Sequence, residues 1–320
     1  MTRTALVLGA AGRLGQCLTE AFTQAGWTVR AQARKPLPQA LAQDPLVQAV
    51  RCDALDAAAT AAAARGCDVI VHALNPLYTE WDRLALPLAD AAMRLARSSG
   101  ALLMLPGNVY NFGKELPSRL RTDTPERGDT PKARLRIAME AQMRDAPDID
   151  SVVIRAGDFF GGPGSGTWFD MAIATQLARG RCVYPGNPTL PHAWAYLPDL
   201  AQVFVRMAQR RDELRGHHRV HFPGHTLTGA QIQAAIEAHM GTPLRSAHLP
   251  WGVIRLLAPF KPMWAELVVM RYLWERAHQL EDPALAQWIG AVPCTPLAEA
   301  VRATLPSWAG AARPSVPIRV

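Results

Sequence analysis

Ala5-Leu6-Val7-Leu8-Gly9-Ala10-Ala11-Gly12-Arg13-Leu14-Gly15 joins an apolar run to three glycines spaced three apart, at the start of a stretch with helical periodicity. Each glycine in such a strand-to-helix turn has a physical purpose. Gly9 permits the tight turn, Gly12 lets a pyrophosphate approach the backbone N–H groups at the helix start, and Gly15 allows helix and strand to pack closely. Ala11, Arg13 and Leu14 stand in the same turn and join the candidate cofactor-binding set. The plainer alternative is that the glycines serve only a tight turn.

Outward from this turn, short aliphatic runs alternate with Ala-rich helical stretches. Strands are expected over Ala5–Leu8, Thr28–Ala33, Val47–Arg51, Val69–His72, Leu102–Leu105 and Val152–Arg155. Helices are expected near Arg13–Ala25, Ala57–Ala64, Trp81–Ser98 and Ala133–Asp145. The alternation implies an α/β fold with a doubly wound parallel sheet covered on both faces. Lys114–Lys132, rich in Pro, Thr, Arg and Asp, reads as a long functional loop. After Gly161 the texture changes to a GGPGSG turn cluster, and seven of nine tryptophans, Trp308 among them, lie beyond it. Residues 1–155 are therefore assigned to a nucleotide lobe and 156–320 to a smaller, mostly helical substrate lobe. Helices near Trp251–Ala258 and Pro262–Glu275 form its cap, and the chain should return to the sheet near Arg219–Phe222.

Hydrophobic residues make up 49% of the 320 and charged residues 19%, enough apolar material for a sizeable core. The 34 basic residues outnumber 27 acidic ones for a net charge of +7, but they are scattered. That suits an anionic small ligand better than a nucleic-acid track. The five cysteines, Cys17, Cys52, Cys67, Cys182 and Cys294, have neither CxxC spacing nor a nearby histidine. A reducing, cytoplasmic setting and no structural metal are expected. No apolar stretch of membrane-spanning length is present, so no membrane partner is expected.

The GxxGxxG spacing resembles the extended short-chain dehydrogenase/reductases, the NAD-dependent epimerase/dehydratase family, whose fold is of the Rossmann type. In that family the end of the second strand reads the adenosine ribose: an acid there selects NAD, and an arginine selects NADP. Here Thr28–Ala33 is followed by Arg34-Lys35 with no acid near, which implies NADP over NAD, with Arg13 as a second cation. Cys52-Asp53-Ala54 resembles the family's adenine contact after the third strand, the alternative for Asp53 being a helix cap. Ala73-Leu74-Asn75 resembles the fourth-strand exit that lies against ribose and pyrophosphate. Asp158, in Asp158-Phe159-Phe160-Gly161, resembles the exit that lines the nicotinamide pocket.

The family's usual Ser or Thr, Tyr and Lys are absent here. Val109-Tyr110 resembles its VYG, but Pro106 or Asn108 stands where the hydroxyl should be. Anchoring on Glu140 puts Arg136 in the lysine place and Lys132 in the tyrosine place. Tyr110 and Lys132 are the candidate proton carriers, Lys132 if it is desolvated beside cations, and Arg136 is a candidate for the cofactor ribose. His192, Trp194 and Tyr196 divide between cleft lining and core. The resemblance thus implies an NADP-dependent oxidoreductase or epimerase/dehydratase-like enzyme for a small polar carbonyl or hydroxyl compound, a sugar nucleotide among the candidates. The alternative is a catalytically silent NADP-binding sensor. The expected partners are a small-molecule substrate and a second copy of the chain as a homodimer.

Overall fold

The computed structural model describes residues 3–305; Trp308, assigned above to the second lobe, lies outside them. Strands β1 (Thr4–Leu8), β2 (Thr28–Ala33), β3 (Val47–Arg51), β4 (Val69–His72) and β5 (Leu102–Gly107) alternate with helices α1 (Arg13–Gln24), α2 (Gln39–Ala42), α3 (Ala57–Ala64) and α4 (Trp81–Ser99). Strand β6 (Arg119–Leu120), helix α5 (Pro131–Arg144) and strand β7 (Ser151–Arg155) follow. Next come β8 (Asp158–Phe160), β9 (Arg181–Tyr184), β10 (His192–Tyr196), α6 (Leu197–Gln209), β11 (His217–His221), β12 (His225–Leu227) and α7 (Gly229–Met240). The described chain ends with β13 (Arg245–His248), α8 (Trp251–Leu257), α9 (Pro262–Met270), β14 (Gln279–Leu280), α10 (Leu285–Ile289) and α11 (Leu297–Thr304).

The central sheet has seven parallel strands in the order β11-β7-β5-β4-β1-β2-β3. Strand order reverses beside β1, which opens a crevice at the carboxyl ends of β1 and β4. Sheet alternation sends Ala5 and Val7 to one face and Leu6 and Leu8 to the other. The first face is covered by α1, through Leu14, Cys17, Leu18, Ala21 and Phe22 at helical spacing, and by α6. The second is covered by Ala85, Ala89, Ala92 and Ala96 of α4. Strands β4 and β7 are buried along their whole length, as a sheet covered on both faces requires. The return strand is β11, two residues earlier than expected. The residues after β7 also form a three-stranded sheet, β12-β10-β8, the parallel pair β13-β9 and helices α6 to α11. No helix among the described residues is long and apolar enough to cross a membrane.

Helix α5 begins two residues before the expected Ala133. Thr130 Oγ1 accepts from the Ala133 N–H at 3.1 Å, and Pro131 sits at the first helical position, where a missing N–H is harmless. Lys132 therefore lies in the first turn of a helix and not at the end of a loop. The preceding long loop is tied down by β6, which pairs with β14, and by Glu126.

Glu126 belongs to a buried polar network behind the β5 exit. Arg155, only 1% exposed, donates to Glu140 Oε2 at 2.6 Å and to the Asn108 carbonyl. Asn111 Nδ2 donates to Glu140 Oε1 and Glu126 Oε1, each at 3.0 Å. Losing one partner of a buried pair leaves an uncompensated charge, so Arg155→Met should destabilise the protein by about 3–5 kcal/mol. Arg155→Met combined with Glu140→Leu should lose clearly less than the sum of the two single changes, as measured by urea unfolding; strict additivity would show that the pair is uncoupled.

Three histidines are buried in the neutral form. Burial, with Arg136 nearby, pushes His72 down to about 3; burial, with Arg155, does the same to His221; and burial, with His192, does so to His278. In the unfolded chain these groups take up protons near pH 6.5, so folding stability should be full above that pH and be lost as pH falls toward 3. The expected loss at pH 5 is about 2 kcal/mol per histidine relative to neutral pH. Equal urea midpoints at the two pH values would contradict this.

Candidate active site

The glycine turn is built from backbone constraints. Gly9 has φ +85°, and its N–H donates to the Gln32 carbonyl and to Gln32 Oε1 at 3.0 Å. Gln32, almost fully buried, also donates from Nε2 to the Cys52 carbonyl at 2.8 Å, so one side chain ties the turn to the ends of β2 and β3. A β-carbon at position 15 would stand 2.2 Å from the Gly9 carbonyl oxygen. Gly12 is the N-cap of α1, no side chain caps that helix, and no acid lies in its first turn. Its first N–H groups and the helix dipole thus face the crevice, an arrangement that fits the pyrophosphate of a dinucleotide. Ala11, Arg13 and Leu14 frame it. Ala73 and Leu74, leaving β4, would be only 3.1–3.2 Å from a β-carbon on Gly9, so they back the turn.

At the adenosine end the structure corrects one expectation. Arg34 does have an acid nearby: Asp53 Oδ2 lies 3.9 Å from Arg34 Nη1. Neighbouring parallel strands end level, Ala33 opposite Arg51, and this brings residues distant in sequence together. Both side chains are largely exposed, so the pair is weak and open to competition. Asp53 is not the cap of α3, a role Asp56 fills through the N–H groups of Ala58 and Ala59. Asp53 accepts from the Leu55 N–H instead, and Ala54 beside it is buried. Arg13 does not flank Arg34. Its guanidinium turns to the second lobe, where it pairs with Asp170 and donates from Nε to the Gly161 carbonyl at 2.7 Å.

Beyond the turn, a cavity of about 10 Å³, space for roughly one water, is lined by His72, Asn75, Trp81 and Arg136 among others. Arg136 donates to the Pro106 carbonyl at 3.1 Å, and its guanidinium lies 4.9 Å from the Trp81 ring centroid. Burial holds its pKa below the usual guanidinium value. Arg136 Nε and both His72 ring nitrogens are buried with no hydrogen-bond partner among the described residues. These are buried polar atoms beside a cavity with room for a single water, which could bridge them.

Tyr110, in a single helical turn at the β5 exit, is buried, and its hydroxyl lies 2.7 Å from that of Tyr78. Burial raises both phenols, Tyr110 well above the ordinary value and Tyr78 to about 12. Lys132 is buried, but the condition set for it as a base is not met, because its partner is an acid and not a set of cations. Its ammonium pairs with Glu266 of α9 and stands 4.9 Å from the Tyr78 ring centroid and 5.8 Å from that of Trp81. Asp158 Oδ2 meets His192 Nε2 at 2.7 Å, and the His192 ring stacks on Trp274 at 4.3 Å. His192 is thus buried against aromatic rings, as are Trp194 and Tyr196, so all three belong to the core and none to an open cleft wall. A wider hollow of about 380 Å³ lies between Lys114, Asp129, Thr130 and Pro131 on one side and Val268, Arg271, Tyr272 and Glu275 on the other.

Sequence reasoning missed Tyr78, Gln32 and Glu266. Tyr78 and Trp81 follow the fourth-strand exit closely and were open to notice, but Glu266 reaches the site from a distant helix and leaves no local signal.

Residues 9–166 match the NAD(P)H-binding family. A search of curated proteins by sequence finds no match. Among solved structures, this chain is similar to the UDP-glucose 4-epimerase of Bifidobacterium longum in complex with NAD+ and UDP (TM-score 0.74, 16% identity, covering 94% of this chain and 96% of that one). It is also similar to the UDP-glucose 4-epimerase of Brucella ovis with NAD (0.74, 16%, 95% and 97%) and to MoeE5 with UDP-glucose and NAD (0.73, 16%, 94% and 97%). Residues 9–166 thus match the NAD(P)H-binding family model, and the chain as a whole shares the Rossmann-type fold of these solved structures.

Proposed function

We propose that this chain is an NADP-dependent enzyme of the oxidoreductase or epimerase/dehydratase kind, working in the cytoplasm on a small polar carbonyl or hydroxyl compound. The observation that carries the proposal is the Tyr78–Tyr110 hydroxyl pair beneath the Lys132 ammonium, beside a cleft that fits a dinucleotide. The solved epimerases with UDP or UDP-glucose make a sugar nucleotide one substrate candidate.

Bound NADPH would supply the hydride. In the reducing direction Tyr110 donates its phenolic proton to the substrate oxygen, Tyr78 passes its own proton to Tyr110 through their shared hydrogen bond, and a proton from solvent restores the half-buried Tyr78. Lys132, over the Tyr78 ring, stabilises negative charge passing along that pair. Arg136, in the family's lysine place, holds the ribose, and Trp81 and Trp274 exclude water. Asp158, held by the buried His192, orients the polar end of the substrate, which approaches through the hollow between residues 114–131 and 268–275. Arg34 reads the 2′-phosphate by exchanging Asp53 for it, as charge-assisted pairing favours.

Fluorescence titration should give tighter binding of NADPH than NADH, and Arg34→Ala should erase roughly tenfold of that preference. Equal affinities in the natural protein would refute the NADP assignment, and no binding of either would remove the basis of the whole proposal. With a panel of carbonyl substrates, Tyr110→Phe should lower turnover by about 10²-fold or more and leave NADPH affinity unchanged. Because burial keeps both phenols protonated, reduction should hold steady from about pH 7 to about pH 9, and a fall with a midpoint near pH 8 would exclude them as the proton donor. Tight binding with no turnover across the panel would favour the sensor.

A further inference from the structure

The second-lobe cap leaves apolar surface open. Of eight large hydrophobic residues exposed among the described residues, five lie on one hairpin: Val253 (51%), Leu256 (73%) and Leu257 on α8, Phe260 (78%) in the turn, and Val269 on α9. Such clustering marks a contact surface, whereas scattered exposed residues would not. The charge pattern selects its occupant. From Leu249 to Ala265 the only charged residues are Arg255 and Lys261, both basic. The next acids are already engaged, Glu266 with Lys132 and Glu275 with Arg271 at 2.8 Å.

We infer that the α8–α9 hairpin docks on an anionic lipid surface, with Leu256 and Phe260 entering the headgroup layer and Arg255 and Lys261 facing lipid phosphates. A helix of seven residues spans roughly 10 Å, which suits an interfacial contact and is far too short for a span. A second copy meeting this face about a two-fold axis would bring Arg255 and Lys261 toward their own counterparts, whereas an anionic surface complements them. The net charge of +7 adds attraction of the same sign. Val268 and Val269 also line the wide hollow, so docking brings its mouth to the lipid surface. The inference does not rest on the proposed chemistry, although Val269 belongs both to the docking face and to the hollow that the proposal gives to the substrate.

The test is co-sedimentation of the full chain with vesicles of phosphatidylcholine containing about one-third phosphatidylglycerol, alongside pure phosphatidylcholine vesicles. The natural protein should pellet with the anionic vesicles, bind the neutral ones several-fold less, and release as salt rises. Leu256→Asp with Phe260→Asp, both at exposed positions, should keep the natural melting temperature and NADPH affinity and lose at least tenfold of vesicle binding. Arg255→Gln with Lys261→Gln should lose only the preference for anionic vesicles. Failure of the natural protein to pellet, or unchanged pelleting by the Asp variant, would overturn the inference. So would a concentration-dependent dimer that the Asp variant abolishes in the absence of vesicle binding, since that assigns the face to a second copy.

Discussion

The Gly9 carbonyl and the first turn of α1 meet at a distance that admits no side chain. A β-carbon at position 15 would sit 2.2 Å from the Gly9 oxygen, and no ordinary relaxation of two packed backbone segments absorbs such an overlap. This closeness seats α1 against β1, so that Leu14, Leu18 and Phe22 reach the sheet. It also aims the uncapped end of α1 at the point where the strand order reverses. The dinucleotide crevice and the packing of the first sheet face are therefore consequences of one steric constraint. Gln32 reinforces it from the other side, since its amide satisfies buried backbone groups of both the turn and the β3 exit.

A second constraint is electrostatic. The lobes are joined across the cleft by Arg13 with Asp170 and by Lys132 with Glu266, each cation from the first half of the chain and each acid from the second. Arg155 is satisfied separately by Glu140. Ion pairs shielded from water hold geometry well because separating the partners strands a charge, although forming them adds modest net stability. These pairs orient the second lobe over the glycine turn, and they limit how strongly the same cations attract an anionic substrate. A substrate phosphate has to compete with a carboxylate already in place, whereas a neutral carbonyl or hydroxyl has only hydrogen bonds to make.

The strands and helices of the first half were legible because parallel strands buried on both faces read as continuous aliphatic runs, bounded by glycines and polar turns. Thr28–Ala33, Val47–Arg51, Val69–His72 and Ala57–Ala64 match their expected bounds, and α5 starts two residues early, where the Thr130 cap and Pro131 extend it, and stops one residue before the expected Asp145. The glycine turn was legible for the same local reason. Pairings between distant segments were not. Asp53 approaches Arg34 because β2 and β3 end level, and Glu266 reaches Lys132 through the placing of the cap; neither has a periodicity or a motif. Nothing in the tryptophans beyond Gly161 announced that His192 would lie flat on Trp274.

Under the proposed reaction, the departure from the family's Ser/Tyr/Lys set at α5 would be a rearrangement in space more than a loss of chemical types. A phenolic proton carrier requires a desolvated hydroxyl, a cation close enough to stabilise the phenolate, and a second hydroxyl to relay the proton. None of these demands that the groups share one helix. Lys132 occupies the tyrosine place but supplies the cation, and Tyr78, arriving from the β4 exit, supplies a phenol 4.9 Å from that ammonium. In the proposed reaction Tyr110, at the β5 exit, is the phenol that gives its proton to the substrate, and the Tyr78 hydroxyl 2.7 Å away is the one that relays. Arg136, one turn beyond Lys132, retains a cation where the ribose would lie, although its planar guanidinium imposes a different hydrogen-bond geometry from a lysine. The same three requirements are thus met by residues drawn from two strand exits and one helix, around the cleft that the Gly9–Gly15 contact opens.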